Sequence, residues 1–276
     1  MKKINSKHKI LILGASGFIG NALYKELYAY FNTFGTYNIS NKEFESNQHY
    51  FQYNIEEDDI HDILEAVKPS VIISSLRGNF SAQILVHQHL LEYVKEHNCK
   101  LLFLSSSNVF DAYSKYPSYE DDKTFSNSIY GHFKIKIENM VMRLPKHKWV
   151  IIRIPMVLGT NSPRISDIKS AIKDHTSIEV FPNLITNVTT DDKLSQQVHY
   201  IINQNKKGIF HLGSMDLVHH EDFIKEIVES LGDYNPVYKQ VYTTNDDRYI
   251  AVLSKHNLLP KNLQIESKDV LKMSTL

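Results

Sequence analysis

Lys9-Ile10-Leu11-Ile12-Leu13-Gly14-Ala15-Ser16-Gly17-Phe18-Ile19-Gly20 sets the direction of the whole chain. Residues 9–13 read as a strand, with an apolar run over 10–13. Apolar side chains at 19, 23, 27 and 30 then return with helical spacing, so a helix is expected over 18–30. Between them lie three glycines with distinct duties. Gly14 permits a tight turn, Gly17 lets backbone approach a ligand, and Gly20 lets the helix pack closely on the strand. A helix that starts at such a turn presents backbone amides and a partial positive charge, which suits a pyrophosphate. Ser16, Phe18 and Ile19 lie in the same cradle as the glycines.

Outward from this turn the same rhythm recurs. Strands are expected over 34–39, 50–53, 71–75, 101–105 and 149–154. Helices are expected over 58–67, 81–97 and 128–144, the first and last closed by Lys68-Pro69 and Pro145. Short apolar strands alternating with helices describe a parallel sheet covered on both faces, whose ligands bind at the strand carboxyl ends. After Pro155 the rhythm changes. Pro163, Pro182 and the polar stretch 186–193 suggest excursions, with helices over 191–203 and 219–231 and a strand over 208–212. The expected architecture is α/β: a doubly wound parallel Rossmann sheet in residues 1–154. Residues 155–276 then form a smaller, mainly substrate-binding C-terminal region with elements returning to the sheet.

The dinucleotide is read from the end of the second strand. NAD sites usually carry an acid there for the ribose hydroxyls. Thr36-Tyr37-Asn38-Ile39-Ser40-Asn41-Lys42 has none. Asn38 would not repel a 2′-phosphate and Lys42 is within reach of one, so NADP is the expected cofactor, with NAD as the alternative.

Tyr130-Gly131-His132-Phe133-Lys134 places tyrosine and lysine four apart, on one face of the 128–144 helix. Hydride transfer to a carbonyl needs a proton at the oxygen. A free phenol titrates near pKa 10, and an ammonium one turn away favours its ionised form. The same lysine can hold the nicotinamide ribose. A second match, Tyr119 to Lys123, sits in an acidic loop before the helix and is rejected. The hydroxyl that would polarise a carbonyl comes from the serines of Leu104-Ser105-Ser106-Ser107-Asn108-Val109-Phe110-Asp111, at the end of the 101–105 strand.

With these pieces in order, the chain resembles the extended short-chain dehydrogenase/reductase family. Within it the likeness is to the dTDP-4-dehydrorhamnose reductase, or sugar-nucleotide-binding, group. It is carried by residues 105–112, by Tyr130-Gly131 with Lys134, and by Ile151-Ile152-Arg153-Ile154-Pro155-Met156-Val157-Leu158-Gly159, over about residues 9–215. The resemblance implies Ser106 as the polarising hydroxyl, Tyr130 as proton donor, and Lys134 as support for Tyr130 and the ribose. It implies Asn54 and Ile55 near the adenine, and Ser74 and Ser75 beside the cofactor. Ser107 and Asn108 stand where the group has Asp-Tyr and where related dehydratases have Asp-Glu, so elimination is not expected and both become substrate-side candidates. Arg77, in the altered 74–79 segment, is a candidate for a substrate phosphate. The group's carboxyl-terminal Arg-Pro signature is not seen at 253–260.

Bulk properties exclude other classes. Thirty-one basic and 31 acidic side chains balance, so no nucleic-acid or charged-membrane partner is expected. The basic start is followed by an apolar run of only residues 10–13, too short for a signal or a span. The single cysteine, Cys99, suits a reducing, cytoplasmic setting. Fourteen histidines show no ligand spacing along the chain, so no metal site is expected. The leading expectation is an NAD(P)H-dependent reductase of a keto group, on a nucleotide-linked deoxy-keto sugar by the resemblance. The alternatives are an epimerase with bound NAD and a non-catalytic, NAD(P)-binding regulatory subunit. The expected partner is a small-molecule substrate, a nucleotide sugar by the resemblance, with a homodimer left open.

Overall fold

A computed structural model describes residues 5–113, 115–232, 234–243 and 245–275. The chain begins β1 (Asn5–Leu13), α1 (Phe18–Tyr28), β2 (Phe31–Tyr37), α2 (Lys42–Glu45), β3 (Tyr50–Gln52), α3 (Ile60–Val67) and β4 (Val71–Ser74). It continues α4 (Phe80–Glu96), β5 (Lys100–Ser106), α5 (Ile129–Val141), β6 (Trp149–Ile154), β7 (Met156–Leu158), α6 (Pro163–Lys173) and β8 (Ser177–Val180). It ends β9 (Leu184–Thr186), β10 (Val188–Thr190), α7 (Asp191–Asn203), β11 (Gly208–His211), β12 (Val218–His219), α8 (His220–Leu231), β13 (Val237–Gln240), β14 (Arg248–Ile250) and α9 (Ser267–Thr275).

Seven strands form one sheet in the order β11-β6-β5-β4-β1-β2-β3. β1 pairs in parallel with β2 on one side and β4 on the other, Ile12 lying opposite Gly35 and Ile73. Chain order therefore reverses direction across β1 and β4, the switch point where such sheets bind ligands. This is the doubly wound Rossmann arrangement expected from the sequence. No described helix is long and apolar enough to cross a membrane.

By Cα packing the chain falls into two units. The first comprises residues 1–105, 133–152 and 195–209, and the second 106–132, 153–194 and 210–276. In the first, Leu11, Leu13, Ile72, Leu101, Phe103 and Ile151 of the strands pack against Val86, Leu90, Ile137 and Val141 of α4 and α5. Each fully buried aliphatic side chain of this kind is worth about 1.5–3 kcal/mol. In the second, Leu158, Ile165, Ile178, Phe223, Ile227 and Val270 make a separate core. Its sheets are small: β7 with β10, β8 with β13, and β12-β9-β14.

Several elements differ from the sequence reading. α1 stops at Tyr28, and Tyr30 instead donates its amide to Leu27 in a tight return to β2, which starts three residues early. α2 was not expected; Asn41 caps it through the Glu43 amide. Pro163, read as part of an excursion away from the sheet, is the first residue of α6 behind a Ser162 cap, a position where a missing amide proton costs nothing. The two- to four-residue strands of the second unit carry too few residues for a period to register.

Candidate active site

The turn after β1 is built as its glycines require. Gly14 has φ +79°, and an added Cβ would lie 2.9 Å from Ser75 O. Its amide donates to Thr36 Oγ1 at 2.9 Å, and the Gly17 amide closes the turn onto Gly14 O at 3.1 Å. Gly17 is the N-cap of α1, with no side-chain cap and no acid in the first turn. The helix start presents its backbone amides and a partial positive charge, with Ser16, Phe18 and Ile19 next to it in sequence. At Gly20 a Cβ would stand 2.1 Å from Gly14 O, so this helix meets the turn with no room for a side chain.

Ser75 supports the same turn, donating its hydroxyl to Leu13 O at 2.7 Å. Ser74 ends β4, buried between its partners Leu13 and Phe103. Asn54 folds its own loop, its amide on Asp58 Oδ2 at 2.6 Å and its side-chain oxygen accepting from the Glu56 amide. Ile55 packs on the core, its Cδ1 3.7 Å from where a Cβ on Gly78 would lie, an ordinary contact. Asn38 and Arg77 are both exposed in loops at strand ends. Lys42 is exposed at the first position of α2, with Glu43 and Glu45 beside it. Thr36 and Gly35 were missed by the sequence reading. Gly35 faces Ala15, to whose Cβ an added Cβ would come within 2.6 Å, and a glycine inside a strand is the signal for such an approach.

Within the second unit, Ser106 ends β5 and caps a short 3-10 turn, Ser107–Phe110. Its hydroxyl donates to Asn108 Oδ1 at 2.9 Å and accepts from the Asn108 amide. Ser107 is buried, and Asn108 is half-buried. The same turn backs onto the start of α5: a Cβ on Gly131 would stand 2.4 Å from Asn108 O and 1.9 Å from Ser126 Oγ. Gly131 therefore lets Asn108 O lie against the helical turn that carries Tyr130, a residue 40% exposed. Asp111 fixes that turn, accepting from the Asn127 amide at 2.6 Å and from the Ser128 hydroxyl, while Ser128 Oγ accepts from the Gly131 amide. Arg153 is buried in this unit, donating to Glu120 O and lying 4.8 Å from the Phe110 ring centre. Tyr119 sits in a loop outside α5.

Lys134, one turn beyond Tyr130 on α5, is buried in the first unit. Its ammonium donates to Leu104 O at 2.9 Å, near the end of β5, and lies 4.7 Å from the Phe103 ring centre. Burial pushes its pKa down to about 8, while the charge of Glu138 pulls the other way. It remains mostly an ammonium at neutral pH. Glu138, one further turn along and fully buried, accepts from Ser105 Oγ. Sequence reasoning passed over it, although the spacing Tyr130, Lys134, Glu138 puts all three on one helix face.

The lysine has a measurable consequence. Between pH 8 and 10.5 the unfolded chain still holds this proton and the folded chain has released it. Stability of the nucleotide-free protein therefore rises with pH across that window, by on the order of 3 kcal/mol from this group. Urea unfolding of wild type and Lys134→Met at both ends of the window tests it. Equal slopes in the two proteins would contradict the burial argument.

Comparison with known proteins follows from this geometry. The family described as RmlD substrate binding domain matches residues 77–259. The fold is shared with dTDP-4-dehydrorhamnose reductase from Yersinia enterocolitica, at TM-score 0.77 and 20% identity over 97% of this chain and 98% of that one. It is shared with the Bacillus anthracis dTDP-4-dehydrorhamnose reductase solved with NADP, at 0.74 and 19% over 99% of both chains. UDP-glucuronic acid 4-epimerase from Bacillus cereus, solved with NAD, superposes at 0.77 and 18% over 97% of both. No curated protein matches the sequence.

Proposed function

The chain belongs to the RmlD substrate binding domain family, and from that premise we propose that it is an NAD(P)H-dependent reductase of a keto group on a nucleotide-linked deoxy sugar. The observation that carries this reading is the close seating of the Ser106–Asn108 turn on Gly131, beside Tyr130, with Lys134 one turn further on. The first unit holds the dinucleotide and the second receives the sugar. The uncapped, acid-free start of α1 fits a pyrophosphate, with the Gly14 turn behind it. A bound nicotinamide supplies the hydride.

The remaining work falls to side chains of this chain. The Ser106 hydroxyl orients and polarises the carbonyl, held in place by Asn108. Tyr130 delivers the proton to the oxygen as charge develops there. The Lys134 ammonium favours ionisation of a neighbouring phenol and binds ribose hydroxyls. Ser107, Asn108 and Arg77 stand on the substrate side. Asn38 and Lys42 bound the adenosine ribose, and Asn54, Ile55, Ser74 and Ser75 lie along the cofactor.

One observation favours a second reading. Glu43 directly follows Lys42, and an acid near that ribose suits NAD and the epimerase alternative. Retained Tyr130 and Lys134 weigh against a purely regulatory subunit. The buried Cys99, whose pKa burial raises to about 12, is chemically quiet and accords with a cytoplasmic setting.

The test is NADPH oxidation across a panel of 4-keto sugar nucleotides. Turnover of at least one, with NADPH preferred over NADH, is expected. Stoichiometric NAD released on denaturation would favour the epimerase. Firm NADPH binding with no turnover of any substrate would favour the regulatory subunit.

A further inference from the structure

Read along the chain, the histidines gave no ligand pattern; folded, two of them meet. His61 lies in the first turn of α3 and His89 in the middle of α4, both within the first unit. Their ring centres are 5.0 Å apart. Asp59, the N-cap of α3, completes a group in which one ligand atom from each residue lies within 4.8 Å of the others. We propose that Asp59, His61 and His89 form a binding site for a divalent transition-metal ion of the zinc class, clipping the start of α3 to α4.

The donor set selects the ion. Two imidazoles and one carboxylate suit zinc, nickel or copper, whereas magnesium and calcium take oxygen ligands almost exclusively. Ligands at about 2.0–2.2 Å from zinc stand roughly 3–3.5 Å from one another, so the present separations close by less than about 2 Å. The movement is available because the His61 and Asp59 side chains are 47% and 60% exposed.

Part of the site is already organised. Asp59 Oδ1 accepts from the His61 amide at 2.9 Å and sits 2.8 Å from His61 Nδ1. The backbone bond, then the ring, hold the Asp59 carboxyl below its ordinary range, so it stays ionised as a ligand must. An ion at Nδ1 would replace the proton now shared with Asp59. An ion at Nε2 would instead use the Asp59–His61 pair to fix the ring, as carboxylates commonly do behind metal-bound histidines. Three protein ligands leave at least one position for water. None of the three is among the residues assigned to hydride transfer, so the inference stands whether or not the reductase reading does.

The experiment is calorimetric titration of the full, tag-free chain with Zn²⁺, and with Mg²⁺ for contrast. One Zn²⁺ per chain and no Mg²⁺ uptake are expected. His61→Ala and His89→Ala should each weaken Zn²⁺ binding by at least about tenfold, the scale of losses seen at metal sites. Asp59→Asn keeps a competent helix cap while removing the anionic ligand, and should weaken binding without unfolding α3. His219→Ala, in the adjacent histidine pair 219–220, should change nothing. Absence of Zn²⁺ binding, binding unmoved by both histidine substitutions, or binding lost in His219→Ala instead would overturn the proposal.

Discussion

Tyr130→Phe is expected to reduce kcat of the keto reduction by about 10²–10⁴-fold, the range a positioned acid contributes. On the barrier this is roughly 3–5 kcal/mol. The substitution removes one oxygen from a side chain that is 40% exposed, at the second position of α5. The ring is kept and the Gly131 seat on Asn108 is untouched, so thermal stability should change little. NADPH affinity should change by no more than a few-fold, since the phosphate cradle lies in the Gly14–Gly20 turn. The loss therefore falls on kcat with KM nearly level, the pattern of an interaction made in the transition state. Steady-state kinetics on whichever keto-sugar nucleotide is turned over, with NADPH binding followed by fluorescence, separates the two. Turnover within a few-fold of wild type would remove Tyr130 as the acid, and Ser106 with it as partner.

That expectation rests on residues legible in the sequence, but the support around them was not. Tyr130 and Lys134 declare themselves because helical spacing is local. The sheet declared itself likewise, because 10–13, 71–73, 101–104 and 149–152 are unbroken apolar runs. Asp111 and Ser128 are 17 residues apart and meet only through the fold, yet they fix the start of the helix that carries Tyr130. Thr36 receives the Gly14 amide from 22 residues away. Asp59, His61 and His89 join two helices whose contact no periodicity encodes. The second unit was read least well. Its strands of two to four residues are defined by pairing partners, as in β7 against β10, and their own composition carries little of that information.

Gly20→Ala is expected to weaken both the fold and nucleotide binding, and Gly17→Ala only the second. Alanine is the better helix former by about 1 kcal/mol, so in an open helix position the change would stabilise. At Gly20 the new methyl would stand 2.1 Å from Gly14 O, 2.8 Å from Gly14 C and 2.8 Å from Ser75 Oγ. Two of these are backbone atoms of a residue already fixed at φ +79° and bonded to Thr36, so neither can yield without opening the turn. Overpacking of this kind costs about 1–3 kcal/mol or more, which exceeds the propensity gain. The start of α1 must then tilt away from β1, and the amides proposed to hold the pyrophosphate move with it. NADPH affinity should fall by at least about tenfold, equivalent to roughly 1.4 kcal/mol. At Gly17 the nearest atom to a Cβ is Gly14 O at 3.4 Å, an ordinary contact, and φ is −77°, open to any residue. A methyl there leaves the fold nearly intact and obstructs only the ligand's approach. Thermal unfolding without nucleotide, paired with NADPH titration, distinguishes the two glycines. A Gly20→Ala protein with wild-type melting temperature and affinity would mean that α1 does not depend on this contact for its seat.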